Sequence, residues 1–213
     1  KAYGHRATPK SIPTKRIINL SKEIISKEKN KKEQARLLYN WVTKNISYAG
    51  NCIGIGAVVP HDTDFILDNK MGDCKDHATL LEALYNAVDI ESTQALINSG
   101  SNYTLPNIPT VASVNHVINY LPEWDKFVDS TNQSLPFDLL AFSVILVDGF
   151  QQGRKTPPTP IGSNYQKVES TMKIQLDGSV TGNISIEMKG QPAVSARGSW
   201  RHVTKEQEDQ WLK

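Results

Sequence analysis

The chain has 213 residues, 38% hydrophobic and 22% charged, the balance of a globular protein with enough apolar material for a core. With 24 Lys and Arg against 22 Asp and Glu the net charge is +2, and no basic stripe interleaved with aromatics is present, which argues against a nucleic-acid partner. No apolar run reaches the roughly 18 residues that a membrane span requires.

The chain opens KAYGHR, without an initiator Met or a signal-like stretch, so it reads as a processed chain or a piece of a larger one. Residues 1–14, with Pro9 and Pro13, read as an irregular lead-in. From Lys15 to about Ser26, Ile17, Ile18, Leu20, Ile24 and Ile25 recur at helical spacing. A second amphipathic helix is predicted from Lys32 to Ile46 on Ala35, Leu38, Val42 and Ile46, with Tyr39 and Trp41 read as core. The basic stretch between them, Lys27 to Lys32, contains Glu28 and reads as a solvated link.

Gly50, Gly54, Gly56 and Pro60 then predict a winding loop. It is not a phosphate cradle, because GNCIGIG lacks both the GxGxxG spacing and a terminal GK[ST]. A short helical turn over Asp64 to Asn69 precedes the central helix, predicted from Asp73 to about Val88 and apolar on most sides. Strands are predicted at Thr93–Asn98, Val114–Leu121 and about Trp124–Asp129. After Phe150, QQGRKTPPTPIGSN reads as a boundary. Beyond it, Tyr165–Leu176 and Ser179–Met188 alternate about an Asp177-Gly178 turn, a hairpin pattern. Thr204 followed three residues later by Gln207 has capping-box spacing and predicts a final helix, cut short by the chain end. The predicted organisation is a lead-in over 1–14, a core over 15–150 and a truncated β-rich segment over 151–213.

The chemistry centres on Cys74. Asp73 is placed to cap the central helix, which puts Cys74 in the first turn, where free N–H groups and the helix dipole favour a thiolate. Lys70 and Lys75 act in the same direction if they lie close. A Cys52–Cys74 disulfide is the competing reading on cysteine count, and two cysteines with no CxxC pattern do not make a zinc site. None of the five histidines forms an HxH or HxxxH pair, so neither a metal nor any other cofactor is expected.

A cysteine nucleophile needs a base, and the base an orienting group. His77, three residues along, is the nearest imidazole, but a cap, an ion pair or solvent explains it equally. His116 lies within VNHVINYL, on one strand face with Val114, Ile118 and Tyr120. If the following hairpin turns on two residues, Pro122 and Glu123, His116 stands directly opposite Asp129. A carboxylate there holds the imidazole tautomer. His61 reads as loop surface.

Four segments together resemble the transglutaminase-like superfamily of papain-like cysteine hydrolases, in its bacterial branch with flanking domains. They are YNWVTKNISY (Tyr39–Tyr48), GIGAVVP (Gly54–Pro60), GDCKDHATLLEAL (Gly72–Leu84) and NHVINYLPEWDKFVDSTNQSLPF (Asn115–Phe137). The resemblance covers about residues 15–140. It implies an α+β fold in which a central helix carrying the cysteine packs on an antiparallel sheet, followed by a small β-rich segment. It implies Cys74 as nucleophile, His116 as base and Asp129 as its orienter, with Tyr48 and Asn51 as candidates for a second oxyanion donor. The implied chemistry is acyl transfer or hydrolysis at protein or peptide amides through a thioester. Protein crosslinking and a non-catalytic peptide-binding module on the same fold are the alternatives. The resemblance also points to a bacterial periplasmic or other extracytoplasmic setting within a larger chain.

Overall fold

The helix that begins at Cys74 organises the fold, and its start is fixed by local chemistry. Asp73 Oδ1 accepts from the backbone N–H groups of Lys75 and Asp76 at 3.2 and 3.4 Å. Asp76 Oδ2 accepts in return from the N–H of Asp73 at 3.2 Å. This reciprocal box satisfies donors that a helix start otherwise leaves orphaned. Gly72 permits it: a Cβ there would lie 2.6 Å from the Asp76 Cβ.

The structure, a computed structural model, describes residues 2–50, 54–99, 114–140, 145–147, 160 and 162–211. They fall into two units, Lys1–Pro158 and Thr159–Lys213. The first runs α1 (Ala2–Ala7), α2 (Lys15–Ile25), α3 (Lys31–Asn45), β1 (Ser47–Tyr48), α4 (Thr63–Asn69), β2 (Met71–Gly72) and α5 (Cys74–Asn86). It continues with β3 (Thr93–Asn98), β4 (His116–Leu121), β5 (Lys126–Val128) and β6 (Ile145–Val147). The lead-in is thus not irregular throughout, since α1 and a 3₁₀ turn over Thr8–Ser11 occupy most of it.

α5 is buried along its length, with Ala78, Leu80, Leu81, Ala83, Leu84 and Tyr85 all closed to solvent. It packs against Ile17 of α2, Leu38, Tyr39 and Val42 of α3 and Ile66 of α4, and against Leu121 and Val128 from the sheet. Each large apolar side chain buried this way contributes about 1.5–3 kcal/mol. Asn119 on β4 ties sheet to helix, donating from Nδ2 to the Ala78 carbonyl at 2.9 Å.

The sheet is antiparallel, in the order β5-β4-β3-β6. Its register corrects the expectation for the β4–β5 hairpin. The connection is not the two-residue turn Pro122-Glu123 but a 3₁₀ turn over Pro122–Trp124 closed by Asp125 in the left-handed region, φ 44°. Asn119 therefore pairs with Val128 and Tyr120 with Phe127, so His116 and Asp129 are not directly opposed. The slip is two residues, however, and strand side chains alternate with period two, so the faces are unchanged. His116 and Asp129 become diagonal neighbours, still within reach of long side chains.

The second unit runs β7 (Tyr165–Ile174), β8 (Val180–Lys189), α6 (Gln191–Trp200) and α7 (Lys205–Trp211). The hairpin turns at Asp177-Gly178, with Gly178 at φ 83°, where a glycine carries no Cβ penalty. The register puts Val168, Met172 and Ile174 on one face with Val180, Ile184 and Ile186, all exposed. Thr204 and Gln207 form the expected box, each accepting the other's N–H at 3.0 and 3.3 Å. Helix α6 has no counterpart in the sequence reading.

Candidate active site

Cys74 is a free thiol at the first position of α5, partly open to solvent. The Cys52–Cys74 bridge is therefore not formed. The lysine beside Cys74 is already paired. Lys75 is buried and its ammonium pairs with Asp73, while Lys70 is an exposed residue that closes α4 in the left-handed region.

His116, the first residue of β4, meets Cys74 and Asp129. Its Nε2 lies 2.9 Å from Asp129 Oδ2. A carboxylate only accepts, so this contact places a proton on Nε2, and the Cys74 thiol is close enough to act on the same ring. Burial alone would lower the His116 pKa. Its hydrogen bonds to Asp129 and Cys74, with the negative charge on both, overcome burial and lift it to about 10. By linkage, the stabilisation from this raised value is complete below the unfolded imidazole value of about 6.5 and is lost as pH rises through about 10.

Asp129 sits just past β5 and is held on both oxygens. Oδ1 accepts from the Thr131 hydroxyl at 2.6 Å and its N–H at 3.0 Å, while Oδ2 takes His116. Burial would raise this carboxyl, but these hydrogen bonds and the His116 charge hold it below the usual range. Asp129→Asn is accordingly expected to lower the His116 titration midpoint, followed by NMR of labelled imidazole, by about 1–3 pH units. An unchanged midpoint would show that the carboxylate does not control the ring.

The backbone around Asp129 is anchored too. The buried Tyr39 hydroxyl donates to the Asp129 carbonyl at 2.8 Å and to that of Leu135 at 3.0 Å. His77, wholly buried, places Nδ1 2.9 Å from the Ser130 carbonyl. Sequence spacing encodes neither contact. The one hint was that His77 lies one turn from Cys74 inside a helix apolar almost all round.

Of the tentative oxyanion residues, Tyr48 is half exposed on β1, its ring 6.1 Å from the His77 ring. β1 pairs with β2, Tyr48 opposite Gly72, which brings it near the Cys74 turn. Asn51, like Cys52, lies outside the described residues. His61 is not loop surface. It is half-buried and stacked on Phe65, donates its N–H to Asp76 Oδ1 at 2.8 Å and places Nδ1 3.0 Å from Asp76 Oδ2. Among the described residues no cluster of three or more His, Cys, Asp or Glu could hold a metal, and no helix is long and apolar enough to cross a membrane.

Comparison with known proteins bears on this arrangement. The family model described as the transglutaminase-like superfamily matches residues 18–118. Over those residues the chain is similar to the transglutaminase-like superfamily. The matched stretch contains Cys74 and His116 and stops short of Asp129. The chain resembles in structure a candidate protease from Parabacteroides distasonis, with a TM-score of 0.54 and 17% identity. That similarity covers 75% of this chain and 30% of the other, and it establishes the mixed α+β fold. A candidate cysteine protease from Cytophaga hutchinsonii matches with a TM-score of 0.44 and 13% identity, over 85% of this chain and 54% of that one. The chain thus spans less than two thirds of either protein. Comparison with curated proteins gives no match.

Proposed function

We propose that the transglutaminase-like core is a cysteine hydrolase or acyltransferase acting on protein or peptide amides, with Cys74 as nucleophile, His116 as base and Asp129 as its orienter. The supporting observation is the imidazole of His116, hydrogen-bonded to the Asp129 carboxylate and raised in pKa by that carboxylate and by the thiol at the head of α5. In this reading the thiol proton already rests on His116, whose raised pKa keeps the ring protonated beside a thiolate, and the Cys74 sulfur attacks the amide carbon as a thiolate. The carbonyl oxygen becomes an oxyanion facing the N–H of Cys74, which the Asp73 and Asp76 caps do not use. His116 then protonates the leaving nitrogen and the C–N bond breaks. Water, deprotonated by the same ring, attacks the thioester and frees the acid and the thiol. An amine in place of water gives the crosslinked amide.

Native Cys74 is expected to react with iodoacetamide faster than free cysteine at neutral pH. Cleavage of a peptide-amide library should vanish in Cys74→Ala, and a labelled primary amine added to the assay separates transfer from hydrolysis. A native Cys74 no more reactive than free cysteine, with no Cys74-dependent turnover, would leave a peptide-binding module as the reading.

A further inference from the structure

We propose that His77 is a positioning residue, which fixes the turn carrying Asp129 against the first turn of α5 and so holds the His116–Asp129 pair at the Cys74 sulfur. The proposal rests on the reading of Cys74 as nucleophile.

The contacts form a closed circuit. Cys74 and His77 are three residues apart on α5 and so share a face. His77 Nδ1 meets the Ser130 carbonyl at 2.9 Å, Ser130 follows Asp129, Asp129 Oδ2 holds His116 at 2.9 Å, and the Cys74 thiol acts on the His116 ring. Every link except His77 is a group with a role in the proposed chemistry or the backbone beside it. Without His77, the acid turn has no side-chain link to the nucleophile's helix within this circuit.

The ring is suited to the task. It is wholly buried, and burial pulls its pKa below the usual imidazole value against the opposing pull of the Ser47 and Ser130 carbonyls and of the Asp129 and Asp76 charges. A neutral ring has one N–H, and the Ser130 carbonyl can only accept, so that proton sits on Nδ1. The Tyr48 ring lies beside the same imidazole, its centroid 6.1 Å away. Two successive carbonyls of the acid turn are thus each anchored by a buried side chain, Asp129 by Tyr39 and Ser130 by His77. Displacement of a catalytic group by as little as 1 Å is enough to cost orders of magnitude in rate.

Two amides separate positioning from packing. Asparagine places its N–H donors where Nδ1 stands, whereas glutamine reaches toward the position of Nε2. In the full chain, His77→Asn is expected to keep the His116 NMR titration midpoint and the rate of Cys74 alkylation near wild type. His77→Gln is expected to lower the midpoint by about 1 pH unit or more and to slow alkylation, even where both variants lose melting temperature alike. Equal midpoints and equal rates in wild type, Asn and Gln variants would overturn the proposal, as would equal shifts in both variants. Failure of the underlying reading looks different: wild-type Cys74 would then react like free cysteine.

Discussion

Replacing His116 by alanine is expected to slow any Cys74-dependent amide turnover by roughly 10²–10⁴-fold, the usual scale of a positioned general base, and to slow Cys74 alkylation by about tenfold or more. The second figure follows from the thiol's chemistry, since a cysteine without an activating partner is only a few per cent thiolate at neutral pH. The structure supplies an internal control. Two imidazole–carboxylate pairs flank the first turn of α5, His116 with Asp129 and His61 with Asp76. The thiol acts on the ring of the first pair. His61→Ala should therefore leave the alkylation rate per folded molecule at its wild-type value, while His116→Ala removes the proton acceptor. If the two variants slow alkylation equally, the effect is on the helix start that Asp76 caps and not on the base, and His116 loses its assigned role.

The pairing of His116 with Asp129 also shows what sequence can and cannot carry. The hairpin argument placed them directly opposite and missed the register, because a 3₁₀ turn closed by left-handed Asp125 lengthens the connection. No single residue type announces that turn. The pair was nonetheless found, because an error of two residues preserves the strand face and an error of one would have hidden it. Features written in short spacings were legible. They include Asp73 before Cys74, the strand Thr93–Asn98, the Asp177-Gly178 turn and the box of Thr204 with Gln207.

Features made by distant backbone were not. His77 finds its partner 53 residues away and Tyr39 finds Asp129 at 90, in both cases a carbonyl that any residue type would present. His61 finds Asp76 across 15 residues of loop and helix. Lys75, read from the sequence only as a charge that could favour the Cys74 thiolate, is placed differently. Asp73, two residues before it, both caps the backbone and pairs with the ammonium, which lets the stem be buried.

That arrangement makes Asp73→Ala the substitution with the largest expected effect on stability. Asp73 is closed to solvent and Lys75 only 2% exposed, so removing the carboxylate leaves a buried ammonium without its counter-charge, at a cost of about 3–5 kcal/mol. Loss of the N-cap adds about 1 kcal/mol. Against a total stability of about 5–15 kcal/mol for an ordinary domain, much of the chain would unfold near its working temperature. The two contributions separate experimentally. Asp73→Asn keeps an oxygen for the Lys75 and Asp76 N–H groups and loses only the charge, whereas Asp73→Ala with Lys75→Met removes the stranded ammonium and leaves only the cap missing. Urea midpoints should therefore rank wild type first, the double variant close behind, and Asp73→Ala far below. A double variant no more stable than Asp73→Ala would show that the cap, not the ion pair, carries the effect. The outcome bears on the site because Cys74 stands between these two residues: the buried pair holds the first turn of α5 in place, and with it the sulfur beside His116.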